Sequence, residues 1–225
     1  MAIALPKNPL PLGDRVSRGF ANEDSPSRHL ASGIPSLDQK FGGIPAGVIA
    51  EIAGGVSSGV TSLALRYLAE ATSQGQIAAW IDPHEAFDVQ SAIDAGVQLQ
   101  QLLWVRCHRD IDCALRVTDL ILHGGGFGLV VFDLIGVPDK ALESFPLSCW
   151  FRFQRAIRNT PTALIVLANS NQAKSAAGRQ MQVQREKVLW SGTDAARLLD
   201  GFVVRVAQRK PMHPGFVSLP TEATV

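Results

Sequence analysis

The residues with the clearest chemical potential lie in one run, "EIAGGVSSGVTSLAL", Glu51 to Leu65. Gly54, Gly55, Val56, Ser57, Ser58, Gly59, Val60 and Thr61 follow the spacing G-x-x-x-x-G-K-[ST] of a phosphate-binding loop at every place but one. Each part of such a loop has a separable role. The glycines let the backbone curl so that N–H groups converge on an anion. A helix starting near Thr61 adds partial positive charge at its N-terminus. The Thr61 hydroxyl is placed to reach Mg²⁺. The lysine brings full charge to the β- and γ-phosphates, where charge builds during transfer. Here that position is Val60. The sequence therefore predicts a backbone cradle without its main electrostatic component, with a valine methyl pair where charged oxygens would sit. A second candidate is Asp133, the acid that ends the apolar run "LVVFD".

A loop of this kind needs a buried strand before it and a helix after it, and both patterns are present. "VIAEIAG" is a short apolar run ending in glycines, and "TSLALRYLAEATSQG" places Leu63, Leu65, Leu68 and Ala69 at helical spacing before Gly75. The alternation continues. Strands are expected at "QIAAWID", "LLWVRC", "FGLVVFDLI" and "TALIVLANS", and helices at "HEAFDVQSAIDAGV", "DIDCALRVTDLILHGGG" and "CWFRFQRAIRN". Such alternation predicts an α/β fold, a mostly parallel sheet with helices on both faces. Residues 1–28, rich in proline and polar residues, read as an extended N-terminal arm. Residues 29–225 read as the core.

Composition bounds the function. The chain has 225 residues and a net charge of +1, with 46% apolar and 18% charged residues, a globular balance. The charge is unevenly placed: residues 29–149 hold 6 basic and 13 acidic residues, and residues 150–225 hold 11 and 4. A basic half points to nucleic acid or an acidic partner. Three cysteines without a C-x-x-C pair suit a reducing compartment. The spacing of "CHRDIDC" is not that of a zinc site, and no metal is expected. No run of 18 apolar residues and no secretory leader is found, so a soluble, cytoplasmic protein without membrane contact is expected.

Five motif blocks in order over residues 32–135 resemble the core of the RecA recombinase family. They are Ser32-Gly33, Ser36-Leu37-Asp38 with Gly42-Gly43 and Pro45, Gly47; then "EIAGGVSSGVTS"; then "WIDPHEAFD"; then "LVVFD", with Asp133 as a Walker B-like acid. The resemblance implies a RecA-like P-loop NTPase core, here without the recombinase's C-terminal domain. The departures are specific. Val60 replaces the lysine; the family's water-orienting glutamate falls at His84, with Glu85 one place late; Asn169 or Ser170 stands where the polar sensor is expected. A one-residue shift at a strand end turns a carboxylate to another side. The chain is thus similar to the ImuA accessory proteins of bacterial damage-induced mutagenesis, which are RecA-like but often lack working ATPase motifs.

That resemblance implies no catalytic residues and no cofactor, although ATP or ADP with Mg²⁺ is what the remaining loop would hold. It implies partners among RecA-type recombinases and Y-family-like or error-prone polymerase components, with single-stranded DNA as a further candidate. Two alternatives stay open: a weak DNA-dependent, nucleotide-binding ATPase, and a SulA-like cell-division inhibitor. The candidate DNA- or partner-binding residues are Arg152, Arg155 and Arg158 on the "CWFRFQRAIRN" helix, where Trp150, Phe151, Phe153 and Ile157 serve packing. Lys174, Arg179, Arg185 and Lys187 join them, in a polar stretch that falls where RecA-like proteins hold a DNA-binding loop. The plain readings are a solvated helix face and a polar connector. Trp80 and Trp104 read as core.

Overall fold

The short elements that open the core frame its first helix. In this computed structural model, in which residues 28–143, 145–193 and 196–222 are described, strand β1 (His29–Leu30) pairs antiparallel with β2 (Ile44–Pro45). Helix α1 (Pro35–Phe41) lies between them and starts on a proline, which needs no N–H partner there. The Ser32 N–H and hydroxyl both donate to Asp38 Oδ1, each at 2.8 Å, which explains the spacing of serine and aspartate in this motif. Gly43 has no room for a side chain, since a Cβ would lie 2.4 Å from the Leu30 carbonyl oxygen. The proposed arm at 1–28 lies outside the described residues except for Arg28.

Then come β3 (Ile49–Ala53), α2 (Val60–Ser73), β4 (Ala78–Asp82), α3 (Val89–Asp94), β5 (Leu102–Arg106), α4 (Ile111–Gly124) and β6 (Leu129–Asp133). They are followed by α5 (Asp139–Glu143), α6 (Leu147–Ile157), β7 (Ala163–Ala168), β8 (Arg179–Thr193), β9 (Ala196–Lys210) and β10 (Val217–Glu222). Eight strands form one sheet in the order β10-β9-β8-β3-β7-β6-β4-β5. It is parallel from β8 to β5, and antiparallel at β8/β9 and β9/β10. The four central strands β3, β7, β6 and β4 are buried along their whole length, as strands covered on both faces must be. One apolar layer packs α1, α2 and α3 on one face, through Leu37, Leu63, Leu68, Trp80 and Ala92. The other packs α4 and α6, through Ala114, Leu122, Phe132, Trp150 and Phe153. The expected α/β sheet with helices on both faces is the observed one.

Three local expectations are corrected. The helix foreseen over "HEAFDVQSAIDAGV" is only Val89–Asp94, because the Asp82 carboxylate takes the N–H groups of Ala86 and Phe87, both at 3.0 Å, and holds that stretch as a loop. Asp88 then caps the helix by accepting from Ser91 N–H at 2.7 Å. Phe151, expected in the core, is exposed on α6. The polar stretch read as a loop to Lys187 is mostly strand: one 3₁₀ turn spans Lys174–Ala176, and β8 begins at Arg179. Met181 and Val183 turn inward while Gln182 and Gln184 face outward, a period-two pattern hidden by its glutamines.

Candidate functional site

The loop between β3 and α2 forms at the carboxyl end of the sheet. Gly55, Val56, Ser57, Thr61 and Ser62 are exposed there. Ser57 (φ 57°) and Gly59 (φ 91°) both take the left-handed conformation that folds successive N–H groups into a concave array. Gly59 is required for a second reason. A Cβ would lie 2.8 Å from Val204 Cγ1 of β9. Beneath the loop, a Cβ on Gly54 would strike the Ser58 hydroxyl, the Val183 carbonyl and Val60 Cγ2. The Ser58 hydroxyl is buried with no hydrogen-bond partner. Thr61, at the second position of α2, is exposed and faces the loop's end of the helix. These groups fit an anion held by backbone N–H groups.

Val60 corrects one expectation. Its side chain is only 4% exposed and belongs to the core layer of α2, so its methyls turn inward rather than occupying the mouth. The position that would carry a phosphate-seeking cation carries core packing instead.

Asp133 ends β6 and is 5% exposed. Burial pushes its pKa up to about 7, the Ile135 N–H bond at 2.9 Å draws it back, and the nearby Asp82 adds repulsion. Asp82 is itself buried at the end of β4, and besides its two backbone bonds it accepts from Trp104 Nε1 at 3.1 Å. Trp80 and Trp104 both pack on Phe87.

The shifted glutamate is occupied. Glu85, in the left-handed region at φ 59°, meets Arg106 Nη2 at 3.1 Å and His108 Nδ1 at 2.6 Å. The Arg106 hydrogen bond is the main reason its pKa is lowered. His84 lies beside Gly136. Asn169 and Ser170 are exposed beyond β7, and the Ser170 hydroxyl accepts from Gln172 Nε2 at 3.0 Å.

The basic candidates lie on three elements, α6, the 3₁₀ turn Lys174–Ala176 and β8. Arg152 bonds Asp119 of α4 at 2.8 Å, while Arg155 and Arg158 are exposed on α6. Lys174 is exposed on its 3₁₀ turn, and Arg185 and Lys187 are exposed on β8. Arg179 is removed from the set. It is buried, and its Nη1 donates to the carbonyl oxygens of Phe41 and Gly42 at 3.0 and 2.8 Å, tying β8 to the end of α1. Its pKa is lowered by burial.

Glu51 was not foreseen as a site residue. It is buried in β3, and its Oε1 accepts from Gln172 and Ala173 N–H, both at 2.5 Å, while Oε2 accepts from Gln180 Nε2 at 2.8 Å. It thereby fixes the start of the segment after β7. A charged residue amid a fully apolar strand was the available signal. Among the described residues, no group of three His, Cys, Asp or Glu is placed to hold a metal ion, and no helix is long and apolar enough to cross a membrane.

Protein RecA of Chloroherpeton thalassium is 37% identical to this chain over 118 residues, 51% of this chain and 33% of that protein. Protein RecA of Rubrobacter xylanophilus is 35% identical over 136 residues, 59% of this chain and 37% of that protein. The matches thus span about a third of these relatives. Among solved structures, the RadB recombinase superposes with a TM-score of 0.63 at 19% identity, over 87% of this chain and 96% of that one. A KaiC-like protein from Pyrococcus horikoshii OT3 superposes with a TM-score of 0.58 at 15% identity, over 88% of this chain and 96% of that one. At those identities the likeness is one of fold. The description of the RecA N-terminal domain matches residues 18–143, more than half of the sequence, and by that match the chain belongs to the RecA N-terminal domain family.

Proposed function

We propose that this RecA-family chain is a non-catalytic accessory protein of DNA damage-induced (SOS) mutagenesis and translesion synthesis. On this reading it works in the cytoplasm by binding a recombinase, an error-prone polymerase component, or both. The observation that carries the proposal is Val60, buried in the core at the lysine place. The Arg106 ion pair and the His108 contact that hold Glu85 away from the role of water-orienting acid support it. Loss of one well-placed charge-stabilising group costs about 10²–10³ in rate, and two roles are affected here. If nucleotide binds at all, the backbone of Ser57–Thr61 would hold its phosphates, Thr61 would face the metal ion, and Asp133 would supply a carboxylate. The Mg²⁺ would add charge neutralisation to that set.

The exposed backbone of the loop favours a second reading, nucleotide binding with weak DNA-dependent turnover. One experiment separates the two. The purified chain is assayed for ATP hydrolysis with and without single-stranded DNA, beside Val60→Lys. We expect no turnover above background in either, because the lysine would not return a free carboxylate to the His84 position. DNA-stimulated turnover on the order of 1 per second would overturn the proposal. Capture from damaged cells then tests the partners. Recombinase or polymerase components are expected, and recovery of the division-ring protein alone would instead indicate a division inhibitor.

A further inference from the structure

A cleft lies away from the phosphate loop, on the outer face of the β8/β9 ladder. It measures about 260 Å³, and Gln182, Gln184, Arg205, Arg209 and Phe216 supply its chemistry, with Ala207 in the wall. Gln182 pairs with Ala207 and Gln184 with Arg205 across the ladder, so these side chains stand on one face by register alone. The chain then turns back after β9 and sets Gly215 and Phe216 as the far wall.

The charges decide what fits. Arg205 is already engaged. Its guanidinium bonds Glu186 at 2.7 Å and lies 4.0 Å over the Phe216 ring, and Glu186 also accepts from the Ser218 hydroxyl at 2.8 Å. Arg209 is exposed and has no ion-pair partner among the described residues, and the amides of Gln182 and Gln184 make no side-chain hydrogen bond there. The cleft therefore offers one uncompensated cation beside two unpaired amides. The half-exposed Phe216 adds apolar surface to the cleft.

We propose that this cleft docks an acidic peptide segment of a partner protein. A carboxylate meets Arg209, the flanking peptide groups meet the Gln182 and Gln184 amides, and an adjacent apolar side chain covers Phe216. Charge complementarity selects the occupant. A nucleic-acid strand needs a run of cations for successive phosphates, whereas on this face Arg205, neutralised by Glu186, stands between Arg209 and Lys187. The inference deepens the reading of the chain as a binding scaffold and rests on it.

The test uses the full ¹⁵N-labelled chain and three probes: the peptide Asp-Glu-Leu-Phe-Asp, its neutral counterpart Asn-Gln-Leu-Phe-Asn, and a short oligothymidylate. The acidic peptide is expected to shift the side-chain amide signals of Gln182 and Gln184. Arg209→Ala should weaken that binding by about tenfold, which corresponds to about 1.4 kcal/mol. Gln182→Leu, which leaves the charge in place, should weaken it less. Equal binding of the neutral peptide, unchanged affinity in Arg209→Ala, or shifts confined to other surfaces would sink the proposal. So would an oligothymidylate that moves these signals when the acidic peptide does not. Failure here is separable from failure of the proposed function: partner capture unchanged by Arg209→Ala removes only the cleft, whereas ATP turnover removes the function.

Discussion

Asp133 offers a measurement in which sign and size both follow from the structure. Its native pKa is about 7, against about 3.9 in an unfolded chain. An acid with a raised native pKa holds its proton more tightly when folded. Its contribution to stability is therefore full below about pH 4, declines as pH rises, and levels off above about 7. The two values lie about 3 pH units apart, which corresponds to about 4 kcal/mol over the whole range, and about 2 kcal/mol of that falls between pH 5.5 and 8.5. Asp133→Asn keeps an oxygen to accept the Ile135 N–H bond and removes the titration. Urea unfolding of both proteins at pH 5.5 and 8.5 cancels the groups that do not interact with Asp133. The wild type should lose about 2 kcal/mol more than the variant across that interval. Equal pH dependence in the two proteins, or an Asp133 carboxyl carbon that titrates near 4 by NMR, would refute the reasoning.

Arg179→Met should destabilise the fold by about 3 kcal/mol in chemical denaturation, because it leaves the Phe41 and Gly42 carbonyls without their charged donor; single-stranded DNA affinity, measured where the variant is folded, should not change. Replacing Lys174, Arg185 and Lys187 together with alanine should weaken any DNA binding and flatten its salt dependence by roughly 0.7 of log–log slope for each phosphate no longer neutralised; a triple variant with wild-type affinity and slope would mark these residues as solvated surface. Glu51→Ala should speed hydrogen exchange at Gln172 and Ala173, whose N–H groups it binds, well before it affects the helices of the core.

Period and punctuation made most of the sheet legible in sequence. The apolar runs at Ile49–Ala53, Ala78–Asp82, Leu129–Asp133 and Ala163–Ala168 are strands buried on both faces, a pattern that does not depend on partners. The extension of the sheet was not legible. In β8, glutamines and charged residues alternate with Met181 and Val183, and the outward-facing residues outweigh the inward-facing ones in any polarity count. The burial of Arg179 was hidden for a related reason: its partners are carbonyls at the end of α1, 137 and 138 positions away, and carbonyls leave no trace in residue type. The loop residues Gly54–Thr61 were found because their spacing is a backbone requirement. The inward turn of Val60 and the contacts of Glu85 with Arg106 and His108 depend on neighbours that only the fold supplies.

A phosphate loop has two kinds of parts, and they respond differently when catalysis is not selected. The backbone parts are also structural. Gly54 and Gly59 are held by steric contact with Ser58, Val183 and Val204, so a bulkier residue would disturb the sheet whether or not a nucleotide ever binds. The lysine has no such second role. Without a phosphate it is a cation beside an apolar helix start, whereas a valine there buries its side chain in the core, a gain of roughly 1.5–3 kcal/mol for full burial. The same logic applies to Glu85, which through its ion pair with Arg106 and its contact with His108 ties the turn between β4 and α3 to the end of β5. On the proposed reading, residues of the catalytic set have been replaced or redirected toward packing and local ion pairing, as expected when stability no longer competes with activity. The glycine frame remains because the fold itself requires it.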